Sequence, residues 1–300
     1  MSPQPKTILL QTTIPTAEDD WSIDRFSRLG ALLRAQRDDR GNPLYEVIMR
    51  DREPLGRPDS VLSNIDESQF DELWLFAVDT GDGLTAEDCE AISRFRARGG
   101  GILVTRDHMD LGSSVCRLGA LGKAHYFHRT NQDPDAARRT VDDPYTTYIS
   151  WPNFHSGTNG DFQEISVVGP VHPVLSDPLS PTGAIRLLPS HPHEGGVGAP
   201  EGEDARVIVQ GTSKITGAVF NIAVAFEPGT QGGPGIAQST FHHFADYNWN
   251  TYSGCPSFVY EPPGDAMARV PQALADTHRY VLNVAAWLSG ARNGATDSNS

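Results

Sequence analysis

The order of apolar and polar positions divides the chain near residue 120. Before it, short continuous apolar runs alternate with helical spacings. "KTILLQTTI", "LYEVIMR", "ELWLFAVD" and "GILVTRD" read as strands, the last two apolar enough to be buried on both faces. Between the first two, "DDWSIDRFSRLGALLRAQ" places Trp21, Ile23, Phe26, Leu29, Leu32 and Leu33 at helical intervals, with Asp19 or Asp20 positioned to cap it. "TAEDCEAISRFRARGGG" predicts a second helix. Thr85 is its N-cap, Asp88 completes a capping-box pattern and glycines end it. Alternating strands and helices predict a parallel sheet with helices on both faces.

After residue 120 the pattern changes. Residues 121–163 are rich in His, Tyr, Asn, Asp and Pro without long periodic runs, which predicts an irregular, lid-like insertion. "FQEISVVG", "AIRLLP", "ARVIVQGTS", "AVFNIAVAFE" and "GIAQSTF" then read as short, partly antiparallel strands between Gly/Pro turns, with "EPGTQGGPG" as a hairpin tip. A last helix, "MARVPQALADTHRYVLNVAAWLSG", would close one face, and residues 291–300 read as a flexible tail. The expected organisation is one α/β domain over residues 1–290.

Composition narrows the function. The chain has 300 residues, 38% hydrophobic and 21% charged, which is ordinary for a globular protein. A formal net charge of −14 argues against nucleic acid or an anionic membrane as partner. No window has membrane-spanning length and no signal-peptide pattern opens the chain, so a cytoplasmic setting is expected. Arginine far outnumbers lysine (Lys6, Lys123 and Lys214), read as the codon bias of a GC-rich, bacterial genome. Cys89, Cys116 and Cys255 form no CxxC pair, so neither a zinc knuckle nor a disulfide framework is indicated. The expected partner is a small polar molecule. A homo-oligomer is left open.

The motif order carries a resemblance. "TAEDCEAISRFRARGGG", "ILVTRDH", "GPVHPVLSD", "RVIVQG" and "GIAQSTFHHFADYNW" follow one another in a way that resembles the ThuA-like branch of the class I glutamine amidotransferase-like fold. The resemblance covers roughly residues 5–120 and 165–290. It implies a flavodoxin-like, mostly parallel sheet, a late strand delivering a histidine, and a link to carbohydrate metabolism. True amidotransferases carry a nucleophilic cysteine on the turn after the fourth strand. Here that turn reads Arg106-Asp107-His108-Met109, so glutaminase chemistry is not expected.

Ligands of open parallel sheets bind beyond the carboxyl ends of the strands. Three segments should meet there: the loop bearing Asp20 and Trp21, the turn "RDHMD", and "FHHFADYNW". Asp107 and His108 are candidate acid/base groups, with Arg106 as a substrate-binding cation. Asp107 as a helix cap is weighed equally. If the last strand runs through His242 and His243, one faces the pocket and the other the interior. Asp246 or a backbone carbonyl would then hold the active imidazole, with Asn248 and Trp249 beside it. His155, in the aromatic excursion, joins the substrate-binding candidates, its neighbours suiting a sugar. A divalent metal is open: His108, His125, His128, His155 and one late histidine, with Asp107, Asp110 or Asp246, would suit zinc or iron, although no HExxH is present. "HPH" at 191–193 lies in a Pro/Gly loop and reads as solvent-facing, and "VHPVLSD" as a structural turn. The leading expectation is acid/base chemistry by His242 or His243 with Asp107 or His108. A metal-dependent hydrolase is second, and a non-catalytic binding domain third.

Overall fold

The computed structural model describes residues 4–139, 141, 142, 146 and 148–290. The tail expected over 291–300 lies outside the described residues. Four apolar runs form parallel strands: β1 (Lys6–Thr12), β2 (Tyr45–Arg50), β3 (Glu72–Phe76) and β4 (Gly101–Thr105). The side chains of β1, β3 and β4 alternate between two separate cores. Ile8, Leu10, Trp74, Phe76 and Leu103 enter one, and Leu9, Leu73, Leu75, Ile102 and Val104 the other. Strands buried on both faces have no room for polar alternation, so β1, β3 and β4 read as apolar runs, while β2 at the sheet edge alternates buried Tyr45 and Val47 with exposed Glu46 and Ile48.

Helices supply the two layers. α1 (Ser27–Arg34) packs Leu29 and Leu33 into the first core. α2 (Ala86–Ala97) packs Ile92 and Phe95 into the second. Thr85 and Asp88 form the predicted capping box at the start of α2. The N-terminus of α1 is served differently from the expectation. Asp246 accepts the Ser27 and Arg28 N–H groups, while Asp51 accepts the Ile23 N–H. Asp19 instead bonds Ser257, from 238 residues away.

The region after β4 is built from short pieces: α3 (Gly119–Lys123), β5 (His125–Tyr126), β6 (Phe162–Glu164), β7 (Ser166–Val167), β8 (Leu187–Pro189) and β9 (Gly196–Val197). Among the described residues β5 pairs only with β9, and β6 only with β8, outside the main sheet. Three longer strands return to it: β10 (Ala205–Thr212), β11 (Val219–Phe226) and β12 (Gly235–Gln238). The eight-stranded order is β2-β1-β3-β4-β12-β11-β10-β7. Its first five members are parallel in the flavodoxin-like order, and β11, β10 and β7 make an antiparallel edge.

After β12 come α4 (Asp246–Trp249), α5 (Ala266–Arg269) and α6 (Pro271–Leu288). The expected single terminal helix is split because Pro271 has no N–H to continue a helix and instead takes its first turn. α6 lays Tyr280, Val281, Val284 and Leu288 on the first core. Among the described residues, no helix is long and apolar enough to cross a membrane.

Candidate functional site

β4 and β12 are neighbours in the sheet, with Val104 beside Ala237, so the segments leaving their carboxyl ends emerge side by side. The Phe241 N–H donates to the Arg106 carbonyl at 2.9 Å and locks the two together. The chain after β12 is not a strand. Residues Phe241–His243 form a 3-10 turn that Thr240 caps by accepting the His242 N–H at 3.2 Å. At three residues per turn, adjacent side chains diverge. His242 therefore faces a cavity of about 380 Å³, and His243 turns into the protein.

That cavity lies over the ends of β1, β3, β4 and β12. Asp20, Trp21, Val78, Thr80, Asp107, His108, Asn159, His191, His193, His242 and Glu261 are among its walls. Its polar centre is Asp107. One carboxylate oxygen lies 3.4 Å from His191 Nε2, and the other lies 3.9 Å from His242 Nε2 and 2.9 Å from His108 Nδ1. The Thr240 hydroxyl donates to the first oxygen at 3.2 Å. Asp107, His191 and His242 can each turn one donor atom inward with all three within 4.8 Å of one another.

The hydrogen bonds assign the tautomers. His242 Nδ1 meets Asn248 Oδ1 at 3.0 Å, and His191 Nδ1 meets Asn159 Oδ1 at 2.9 Å. Asn248 is oriented by a group that can only accept: its amide nitrogen donates to the Ser190 carbonyl at 3.0 Å. The same nitrogen donates to Asn159 Oδ1 at 2.8 Å. Oδ1 of each asparagine must therefore accept from the imidazole, so both Nδ1 atoms carry hydrogen and both Nε2 atoms keep a lone pair.

Electrostatics agrees with this assignment. Burial pushes His191 down to about 4, against the pull of Asp107. It pushes His242 well below the usual histidine range, with neighbouring His191 acting the same way. Burial would raise the Asp107 carboxyl, but His108 and His191 outweigh it and hold it well below the usual carboxylate range. At neutral pH the centre is one carboxylate between neutral imidazoles. The two rings stack with centroids 3.5 Å apart. Trp21 meets the His242 ring edge-on at 4.7 Å.

A second pair stands on the same cavity. His193 Nε2 lies 2.9 Å from Glu261 Oε1, and its Nδ1 lies 3.3 Å from Asn153 Oδ1. The His193 hydrogen bond holds the Glu261 carboxyl down to about 2, and the Thr146 hydroxyl adds to this.

Of the residues singled out by sequence, Asp107, His108, His242, Asp20 and Trp21 line this cavity, and Asn248 stands behind it. The others do not reach it. Arg106 is fully buried on the opposite side, over the Phe127 ring at 4.1 Å, with burial lowering it to about 9. His243 and Trp249 belong to the interior, where the indole N–H donates to the His243 carbonyl. Asp246 caps α1, so the expected imidazole support comes from Asn248. His155 lines a neighbouring cavity. Among the earlier metal candidates, His125 is sealed away from the cluster and His128 bonds Ser150.

"HPH" at 191–193 is not solvent-facing. His191 and His193 are 3% and 4% exposed, and both enter the site. The antiparallel bridge between Phe154 and Glu194 pulls this loop inward. The alternation of histidine about Pro192 was the available signal, since extended backbone sends residues two apart to the same side.

No protein-family model matches this chain, and no curated protein matches its sequence. Solved structures do match. A ThuA-like protein from Parabacteroides merdae ATCC 43184 is similar at 13% identity and TM-score 0.52, over 97% of this chain and 92% of that one. The glutaminase domain of Trypanosoma brucei CTPS, solved with bound acivicin, is similar at 12% identity and TM-score 0.49, over 96% and 95%. At 13% identity the first likeness establishes a shared fold, the flavodoxin-like sheet that the motif order implied. The turn after β4 departs from the amidotransferase pattern. Cys116 lies in the 3-10 turn Ser113–Arg117, half-buried, with burial pushing its thiol up to about 11.

Proposed function

We propose that this chain is a metal-dependent hydrolase acting on a small polar substrate, with Asp107, His191 and His242 as the ligands of one divalent ion. The observation that carries the reading is the paired Nδ1–H···Oδ1 anchoring of two neutral imidazoles, which turns both Nε2 lone pairs toward one buried carboxylate. Two histidines and a carboxylate suit zinc, and also manganese or iron. Asn159 and Asn248 supply the outer hydrogen bonds by which metal-binding histidines are oriented. Such an ion would activate water and polarise a carbonyl.

The remaining groups have separate roles in this reading. Glu261 is ionised and orients His193, which stands on the cavity wall where it can move a proton to or from the reacting group. Tyr148, Phe258 and Tyr260 stand at the cavity mouth, and the two tyrosine hydroxyls are 2.9 Å apart. Their ring faces suit the C–H face of a carbohydrate derivative, the substrate class implied by the sequence resemblance.

The test is metal content of protein purified without a polyhistidine tag, followed by calorimetric titration of the stripped chain with zinc and manganese. One ion per chain, lost in His242→Ala, supports the reading. Absence of binding, or equal binding by the variant, overturns it. A second reading is metal-free acid/base chemistry, favoured by the 2.9 Å approach of His108 to Asp107. Turnover that survives chelation would favour that reading.

A further inference from the structure

A larger cavity of about 620 Å³ adjoins the site. Both cavities are walled by the same segments, read from opposite sides. His191 and His193 face the polar site while Pro192, between them, faces the neighbour. Asn159 faces the polar site and Thr158 the neighbour. Tyr260 and Glu261 line both, so the two spaces meet at those side chains.

The second cavity differs in chemistry. Pro192, Ile215, Pro262 and the Tyr260 ring give it an apolar wall. Ile215 sits at the tip of the β10–β11 hairpin and is 45% exposed, and Tyr260 is 67% exposed. Neither is used by the protein's own core. Both are nonetheless positioned: around Ile215 the Lys214 N–H donates to the His155 carbonyl at 2.8 Å and the Ser213 N–H to the Ala218 carbonyl at 2.8 Å, and the Tyr260 hydroxyl lies 2.9 Å from that of Tyr148. A positioned apolar wall next to a polar reaction centre has the make-up of a two-part ligand site.

We infer that this second cavity is a substrate subsite, and that the molecule hydrolysed is an ester or amide. Its carbonyl lies at Asp107, His191 and His242, and its apolar acyl or aryl arm lies against Pro192, Ile215, Pro262 and Tyr260. Hydrolysis balances with water alone: water oxygen bonds to the carbonyl carbon, the carbon–oxygen or carbon–nitrogen bond breaks, and the leaving group takes a proton. The inference rests on the hydrolase reading for the reaction, but not for the subsite itself.

The two are tested separately. Ligand-observed NMR would compare benzamide with acetamide on the metal-stripped chain, in wild type and in Ile215→Arg, an exposed position where the added charge leaves the core intact. Benzamide is expected to bind on the order of tenfold tighter than acetamide, and to lose that advantage in the variant. No preference for benzamide, or a preference that Ile215→Arg leaves unchanged, overturns the subsite. Calorimetry of the zinc-loaded chain with benzohydroxamate and acetohydroxamate then tests the link to the reaction centre. If benzamide depends on Ile215 but neither hydroxamate binds, the metal reading falls and the subsite stands. If both hydroxamates bind equally and benzamide shows no preference, the metal reading stands and the subsite falls.

Discussion

His242 and His243 are adjacent in sequence and live in opposite surroundings. His242 sits beside Asp107 on a cavity wall, its Nδ1 held by Asn248 and its Nε2 turned toward open space. His243 sits beside Glu194 in a sealed network. The Gln238 amide donates to its Nδ1 at 2.7 Å, so its Nε2–H points to Glu194 at 3.4 Å. Glu194 also accepts from Gln163 and from the Ser239 hydroxyl, and Tyr280 donates to Gln238 at 2.6 Å. Both regions hold a carboxylate against histidine. In one the polar atoms of His243, Glu194, Gln238 and Tyr280 are directed at other protein groups. In the other two lone pairs and a carboxylate converge on a space. That difference separates a structural network from a site.

The sharpest way to break the comparison is to remove each carboxylate in turn. Glu194→Ala strands the His243 Nε2–H, the Ser239 hydroxyl and the Gln163 amide in the buried interior. A loss of about 3–5 kcal/mol of stability is expected, as for other broken buried pairs. Zinc affinity, measured where the protein is still folded, should change by less than about threefold. Asp107→Asn should behave in the opposite way. The stripped chain should melt close to wild type, while zinc affinity falls more than about a hundredfold, beyond the range seen for outer-shell changes. Equal destabilisation by both variants would remove the distinction.

A smaller effect sharpens it. Asn248→Ala keeps all three proposed ligands but frees the His242 ring to rotate and change tautomer. A drop of roughly 10–100-fold in zinc affinity is expected. An unchanged affinity would mean that the asparagine is structural only.

The pH dependence of stability follows from the same burial. His191 is held at about 4 and His125 at about 3 in the folded chain, against an unfolded value near 6.5. Between these values the unfolded chain takes up protons that the folded chain refuses. Stability must therefore fall as pH drops from about 6.5 toward 4, and stay flat with respect to these groups above 6.5. Thermal melts from pH 8 to pH 4 check the sign. Replacing His125 with Phe should flatten the slope without touching zinc binding.

How much of this was legible in the sequence differs by region, for physical reasons. The strands β1, β3 and β4 were legible because burial on both faces leaves an apolar run, and edge strand β2 because its buried Tyr45 and Val47 alternate with exposed positions. The cap of α2 was legible because Thr85 and Asp88 are three residues apart. Asp107 was legible because it follows a rigid buried strand within two residues. His191 and His193 were not. Their loop has the composition of a surface turn, and its burial depends on Phe154, Asn159 and Asn248, which are distant or lie in other elements. Arg106 was misplaced for a related reason. Direct strand–loop reasoning fixes where a residue leaves the sheet, but Phe127 decides which way its side chain packs.

Asp246 gives the smallest effect and a control for the rest. It stands three residues from His243 and was expected to hold the active imidazole. Its partners are instead Ser27 and Arg28, the first donors of α1, from 219 and 218 residues away. Burial raises its carboxyl above the usual value, yet it still satisfies two backbone N–H groups and the Ser27 hydroxyl. Asp246→Ala should cost about 1 kcal/mol, the usual size of a lost helix cap. Zinc affinity and its pH dependence should stay at wild-type values, because Asn248 rather than Asp246 supports His242. If Asp246→Ala weakens zinc binding as far as Asn248→Ala does, the 3-10 turn moves as one unit with α4. The division between a ligand-bearing face and a supporting face would then have to be drawn one helix further out.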